Sequence, residues 1–331
     1  MTTLLGIDRL EGVIGMRDAI DLLERTLAHE AGGRTSVSPK FTTEFDGGAM
    51  RVLFAADNEA GYCAMKAYHS IKGAGTRYVV LLYSLKDGEL LALLDGRLIT
   101  DLRTGAASGV AARRVSINGP VTIGIIGSGN QARTQLESLA AVYTVESAAV
   151  YSPTAANREA FAREMSAKLG FTVTPVHSAE AATRGNAVVA TASNARAAEP
   201  ILKGAWLKDC RLLCAVGNTR RQFAEADVQC FRDASIVIVD SRHALEEAGE
   251  LRRAVEAGVL PDTRLATLAQ LVTGTASIPR EGLVTFKSVG MALQDLALAA
   301  RYYELLREKP GTAIGPDVAS LRDAARRAAV Q

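Results

Sequence analysis

Apolar positions recur along this chain in two different rhythms. Over Met16–Ala31, Ile20, Leu23 and Leu27 fall at helical spacing beside Asp18, Asp21 and Glu24, which predicts an amphipathic surface helix. After Gly32-Gly33 the pattern shortens into extended segments at 52–55, 63–69, 78–84 and 89–94, with Asp87-Gly88 joining the last two as a hairpin. The N-terminal region therefore reads as sheet-rich. From Val121 onward, short β-branched runs at 121–126, 148–151, 187–191, 211–216, 235–240 and 283–286 alternate with helical windows. That alternation predicts a parallel, doubly wound sheet of Rossmann type, with ligand at the strands' carboxyl ends. A long helix follows over 290–306, with Leu293, Leu296, Ala300 and Tyr303 on one face. The change of rhythm puts a boundary near 116–120. The expected α/β fold has a sheet-rich domain for substrate and dimerisation over 1–117, a dinucleotide domain over 118–290, and C-terminal helices in 291–331 packing back on the first.

One stretch carries chemistry by its spacing. Val121 to Ala132 reads as strand, tight turn and helix, with Ala132, Leu136, Leu139, Ala140 and Tyr143 on the helix's inner face. Gly127 permits the turn, Gly129 lets backbone approach a pyrophosphate, and Ala132 lets helix and strand pack closely; the helix-start N–H groups of Ser128, Asn130 and Gln131 then bind the anion. A G-x-G-x-x-A turn alone is weak, because small residues recur in many strand-to-helix turns. The strands and helices that follow decide for a dinucleotide. Thr104, Thr191, Val216, Gly217, Ser288 and Gly290 complete the expected cofactor set. The second strand ends Val150-Tyr151-Ser152-Pro153-Thr154, without the carboxylate that would bind a ribose 2′-OH. The hydroxyls of Ser152 and Thr154 with the Arg158 cation suit a 2′-phosphate instead, predicting NADP(H) ahead of NAD(H).

Composition narrows the partners. Thirty-eight basic against 36 acidic residues give a net +2 with no basic block, so nothing favours nucleic acid. Small molecules are the expected partners. Cys63, Cys210, Cys214 and Cys230 form no C-x-x-C, acidic side chains occupy the first thirty residues, and no apolar run suits a bilayer; a cytoplasmic protein with reduced thiols is expected. His69, His177 and His243 lack ligand spacing, so no metal site is expected.

Three cations outside the glycine turn are candidates. Lys66 sits mid-strand on the face of Ala64 and Tyr68, either on a solvated face or as a functional group. Arg103 follows Thr100-Asp101-Leu102, read as a helix start; a cation in the first turn opposes the dipole and points to a bound anion, the alternative being a surface arginine paired with Asp101. Arg34, in a Gly-Gly-Arg-Thr turn, is uninformative by itself.

Three motifs, 127–132 (Gly-Ser-Gly-Asn-Gln-Ala), 99–107 (Ile-Thr-Asp-Leu-Arg-Thr-Gly-Ala-Ala) and 286–295 (Phe-Lys-Ser-Val-Gly-Met-Ala-Leu-Gln-Asp), together resemble the ornithine cyclodeaminase and mu-crystallin family. The resemblance spans nearly the whole chain. It implies a nicotinamide enzyme for α-amino or α-imino acids, with Arg34, Lys66 and Arg103 around the substrate carboxylate, and a homodimer paired through the N-terminal sheet. Cyclodeaminases and alanine dehydrogenases resembling this chain carry aspartate after the glycine that ends the fourth Rossmann strand. Here Gly217 is followed by Asn218, and Arg221-Gln222-Phe223 replaces the usual Arg-Glu-Leu. The resemblance thus leans toward reduction of a ketimine or a cyclic imino acid such as pyrroline-2-carboxylate, with Lys66 and Asn218 catalytic and Lys66 as proton donor or as the group tuning the iminium. Alanine dehydrogenase-like or ornithine cyclodeaminase activity, and a mu-crystallin-like cofactor-loaded binding protein, are the alternatives. Pro153 stands where similar NADP-binding members often have arginine.

Overall fold

A computed structural model describes residues 2–193, 199–309 and 312–313. The chain forms two compact units, Met1–Arg103 with Met291–Gln331, and Thr104–Gly290.

In the first unit the helix Met16–Ala31 has the bounds its periodicity predicts and buries Ala19, Ile20, Leu23 and Leu27. The expected strands are present, the first three longer than expected at Gly48–Asp57, Tyr62–Ile71 and Gly75–Ser84 and the fourth displaced by one residue at Leu90–Asp95; they pair antiparallel in that order. Pattern reading misses Thr3–Leu5, Thr35–Val37 and Phe41–Phe45. Phe41–Phe45 is exposed throughout, so no inward face exists to set an alternation. Thr3–Leu5 pairs parallel with Leu90–Asp95 and antiparallel with Thr312–Ala313, which makes the eight-stranded sheet mixed. Beyond that pair the C-terminal tail expected to pack back here lies outside the described residues. The helix Ala292–Leu306 packs on Gly48–Asp57, Tyr62–Ile71 and Met16–Ala31. It buries Leu293, Leu296 and Ala300 as expected, but its buried aromatic is Tyr302 rather than Tyr303, and Leu298 and Ala299 are buried as well. A helix covered on more than one side has no single-face periodicity to read.

The second unit holds an all-parallel sheet in the order Thr172–Pro175, Val145–Tyr151, Val121–Ile126, Val188–Thr191, Leu212–Ala215, Leu283–Lys287, Ala234–Val239, Leu265–Thr267. The order reverses between Val121–Ile126 and Val188–Thr191, the switch point where doubly wound sheets bind ligands. Helices and strands meet closely there: a Cβ on Gly124 would stand 1.8 Å from the Ala182 carbonyl oxygen. The edge strands Thr172–Pro175 and Leu265–Thr267 are too short to announce themselves in the sequence. Among the described residues no helix is long and apolar enough to cross a membrane.

Candidate functional site

Lys66 is an inward-facing residue of the strand Tyr62–Ile71 and is only 2% exposed, so the solvated-face reading is corrected. It is tolerated inside because its charge is answered. Nζ donates to Asp295 Oδ1 and to Thr100 Oγ1, both at 2.7 Å, while the stacked rings of Tyr68 and Tyr78 flank it. Burial pushes the Lys66 ammonium down to about 8; Arg103 and Lys40 add to the effect and Asp295 opposes it.

Arg103 also sits differently from expectation. Its helix begins at Gly96, not at Thr100, and runs Gly96–Ala112, so Arg103 lies in the third turn, where the dipole argument for a bound anion no longer applies. Nor is it a surface residue. It is 8% exposed, with Nη1 donating to Gln294 Oε1 at 3.3 Å and Nε 3.4 Å from Asp295 Oδ1. What now speaks for an anion is charge: Lys66 and Arg103 share the single carboxylate of Asp295. Arg34 does not join them by any described hydrogen bond; it is exposed and 3.8 Å from Glu59. Gln294 and Asp295 are candidate site residues that sequence reasoning missed. The available signal was a carboxylate in the mostly apolar first turns of this helix, which must find a partner if that face is buried.

In the second unit the glycine turn has the features a dinucleotide needs. Gly127 has φ 123°, and a Cβ there would stand 2.4 Å from the Ala192 carbonyl oxygen. Over Gly129 a Cβ would meet nothing within 4 Å, so the backbone is open to approach. The helix Asn130–Val142 has at its N-cap Gly129, which carries no side chain to cap it, and Ala132 is fully buried. These residues fit a nicotinamide dinucleotide. Ser128 Oγ donates to Ser152 Oγ at 2.9 Å, tying the turn to the end of the second strand. Arg158 Nη1 donates to the Ser152 carbonyl at 3.1 Å, and Nη2 meets His177 Nδ1 at 3.2 Å, while Thr154 is exposed. Thr104 is buried mid-helix, its carbonyl accepting from Gln135.

The ends of the next strands enclose a buried ionic network that sequence reading did not anticipate. Glu225 accepts from Thr191 Oγ1 at 3.2 Å, from the Ser193 and Asn218 N–H groups at 2.8 and 3.0 Å, and from Ser193 Oγ. Glu250 meets Lys287 Nζ at 2.8 Å. Burial pushes the Glu225 carboxyl up, with Lys287 pulling it back. Val216 is buried beside Gly217, where a Cβ would stand 2.3 Å from Glu225 Oε2. Asn218, expected to be catalytic, commits its amide to its own loop: Nδ2 donates to the carbonyls of Phe223 and Arg220 and to Glu250, and Oδ1 accepts from the Arg220 N–H. Past the last strand, Asp240 accepts from Ser288 Oγ and from the N–H groups of Val289 and Gly290, fixing that turn. Among the described residues no group of three or more His, Cys, Asp or Glu could hold a metal ion.

The family model for ornithine cyclodeaminase/mu-crystallin matches residues 2–310. The chain belongs to this family. It is 29% identical over 312 residues to the alanine dehydrogenase of Archaeoglobus fulgidus, covering 92% of this chain and 94% of that one. It is 32% identical over 227 residues to the mouse ketimine reductase mu-crystallin, covering 68% of each. Among solved structures, the Delta(1)-pyrroline-2-carboxylate reductase of Thermococcus litoralis, in complex with NADH and L-proline, superposes with a TM-score of 0.89 at 32% identity, covering 95% of this chain and 100% of that one.

Proposed function

We propose that this chain reduces the C=N bond of a small α-imino acid, a ketimine or a cyclic imino acid such as pyrroline-2-carboxylate, to the amino acid with NAD(P)H. It is a nicotinamide-dependent oxidoreductase acting on CH–NH groups. The observation that carries the substrate reading is the burial of Lys66 and Arg103 against one carboxylate, which leaves a net positive site matched to a carboxylate ligand. The similarity to a reductase holding L-proline supports the same reading.

Arg103 holds the substrate carboxylate by charge-assisted hydrogen bonds, and Arg34, exposed on its turn, assists at most from the rim. Lys66, with its ammonium near neutrality, gives a proton to the imine nitrogen and makes the carbon a better hydride acceptor. Bound at 127–132, the reduced dinucleotide supplies the hydride. Thr191, Val216, Gly217, Ser288 and Gly290 shape the backbone that receives it, and the Asn218 loop keeps that backbone in place. Ser152, Thr154 and Arg158 favour NADP(H) over NAD(H). Exposed Phe41, Phe45, Met50, Phe54 and Ile71 on adjoining strands of the first unit support a homodimer contact there.

Full-length similarity to an alanine dehydrogenase favours a second reading, oxidation of a linear amino acid at the same site. A screen of NADPH and NADH oxidation against cyclic and linear imino acids, formed in place from keto acids and amines, separates the two. Turnover with a cyclic imino acid supports the proposal; turnover only with pyruvate and ammonia favours the second reading, and turnover with no imino acid overturns both.

A further inference from the structure

Among the described residues, Arg103 Nε, Gln294 Nε2 and Asp295 Oδ2 are buried side-chain atoms that make no hydrogen bond, and they sit on residues already in contact. Gln294 and Asp295 are each 1% exposed. A polar atom buried without a partner is costly, and three in one patch describe the complement of a ligand. Two are donors and one is an anionic acceptor. Asp295 Oδ1 is occupied by Lys66, so Oδ2 is the atom left to recognise something that carries an N–H. The charged groups around it are Lys66, Arg103 and the more distant Lys40.

We infer that Asp295 Oδ2 receives the N–H of the substrate's protonated nitrogen, while Gln294 Nε2 joins Arg103 on its carboxylate. This rests on the imino-acid reading above. The patch then recognises an α-iminium or α-ammonium carboxylate and discriminates against a keto acid or ether of the same shape, which has no N–H to offer. In the reaction the neutral imine nitrogen takes a proton from Lys66 Nζ and becomes N–H⁺ against Asp295. Hydride from the reduced nicotinamide adds to the carbon, and the C=N π pair moves to nitrogen. Lys66 is left as the neutral amine and is reprotonated from solvent.

The test uses the full chain saturated with reduced dinucleotide, with which the ligands do not react. Dissociation constants are measured by calorimetry for L-proline and for tetrahydrofuran-2-carboxylate, in which a ring oxygen replaces the N–H. The unsubstituted protein should prefer proline by about tenfold or more. Asp295→Asn should bring the two within about twofold, and Gln294→Leu should weaken both in parallel by about tenfold. Because the preference is a ratio of constants within one protein, partial loss of folded material does not change it. A preference undiminished in Asp295→Asn, or none in the unsubstituted protein, overturns the assignment of Asp295 while leaving the imino-acid reading standing. Binding of neither ligand overturns both.

Discussion

Lys66 Nζ and Asp295 Oδ1 lie 2.7 Å apart and join a strand to a helix 229 positions further along the chain. The pair lets a lysine sit inside the first unit, and Arg103, 3.4 Å from the same oxygen, makes the patch cationic. That excess charge sets the expectations for Arg103 and Lys66.

Arg103→Ala should raise KM and lower kcat/KM for the best imino acid by on the order of two decades, equivalent to roughly 3 kcal/mol. Folding should hold, since Lys66 and Asp295 remain paired. Steady-state kinetics check this, and near-normal kcat/KM would remove Arg103 from the site.

Lys66 acts as an acid only while protonated. With its ammonium at about 8, kcat/KM should fall above that pH, by about tenfold per unit, and Lys66→Met should be slow with no such limb. Stability should move the other way. Between about 8 and the ordinary lysine value of 10.5 the folded state binds fewer protons than the unfolded one, so the cost of burying this charge fades as pH rises through that window. Comparing denaturation midpoints of the protein and Lys66→Met across pH isolates the term; a difference that does not vary with pH contradicts it.

Arg158 is held by the Ser152 carbonyl and His177 at the end of the second Rossmann strand. Its removal in Arg158→Ala should weaken NADPH by about tenfold and leave NADH nearly unchanged. Fluorescence titration of both cofactors reads this directly. NADH bound as tightly as NADPH by the unsubstituted protein would end the NADP assignment.

A cyclodeaminase must move protons at the α-carbon as ammonia leaves. Asn218 cannot accept one, and its amide is already engaged with Phe223 and Glu250. Ornithine with a trace of NAD should therefore give neither ammonia nor proline. Lys66 is an alternative base, so proline released over many turnovers without net cofactor reduction would favour the lyase.

Lys287 and Glu250 form a fully buried pair beside Glu225. Lys287→Met leaves buried carboxylates without their counter-charge and should cost about 3–5 kcal/mol in urea unfolding. Lys287→Met with Glu250→Met should recover much of the loss, and a double variant no better than the single would show that the two side chains do not act as a pair.

The sequence by itself determined the alternating strands and helices of the second unit, the helix Met16–Ala31 and the glycine turn, because each is written in local spacing that backbone geometry reads directly. Gly127 shows this most plainly, its positive φ being what the turn requires of any residue there. The start of the Gly96–Ala112 helix was not legible, since Thr100 and Asp101 resemble an N-cap while Thr100 actually donates from the helix interior to the Gly96 carbonyl. Only tertiary structure decided that Lys66 is buried, that Asp295 answers it, and that Asn218 and Glu250 belong to one network. A buried charge is set by partners remote in sequence, and alternation along a strand tells which face a side chain occupies but not what lies against that face.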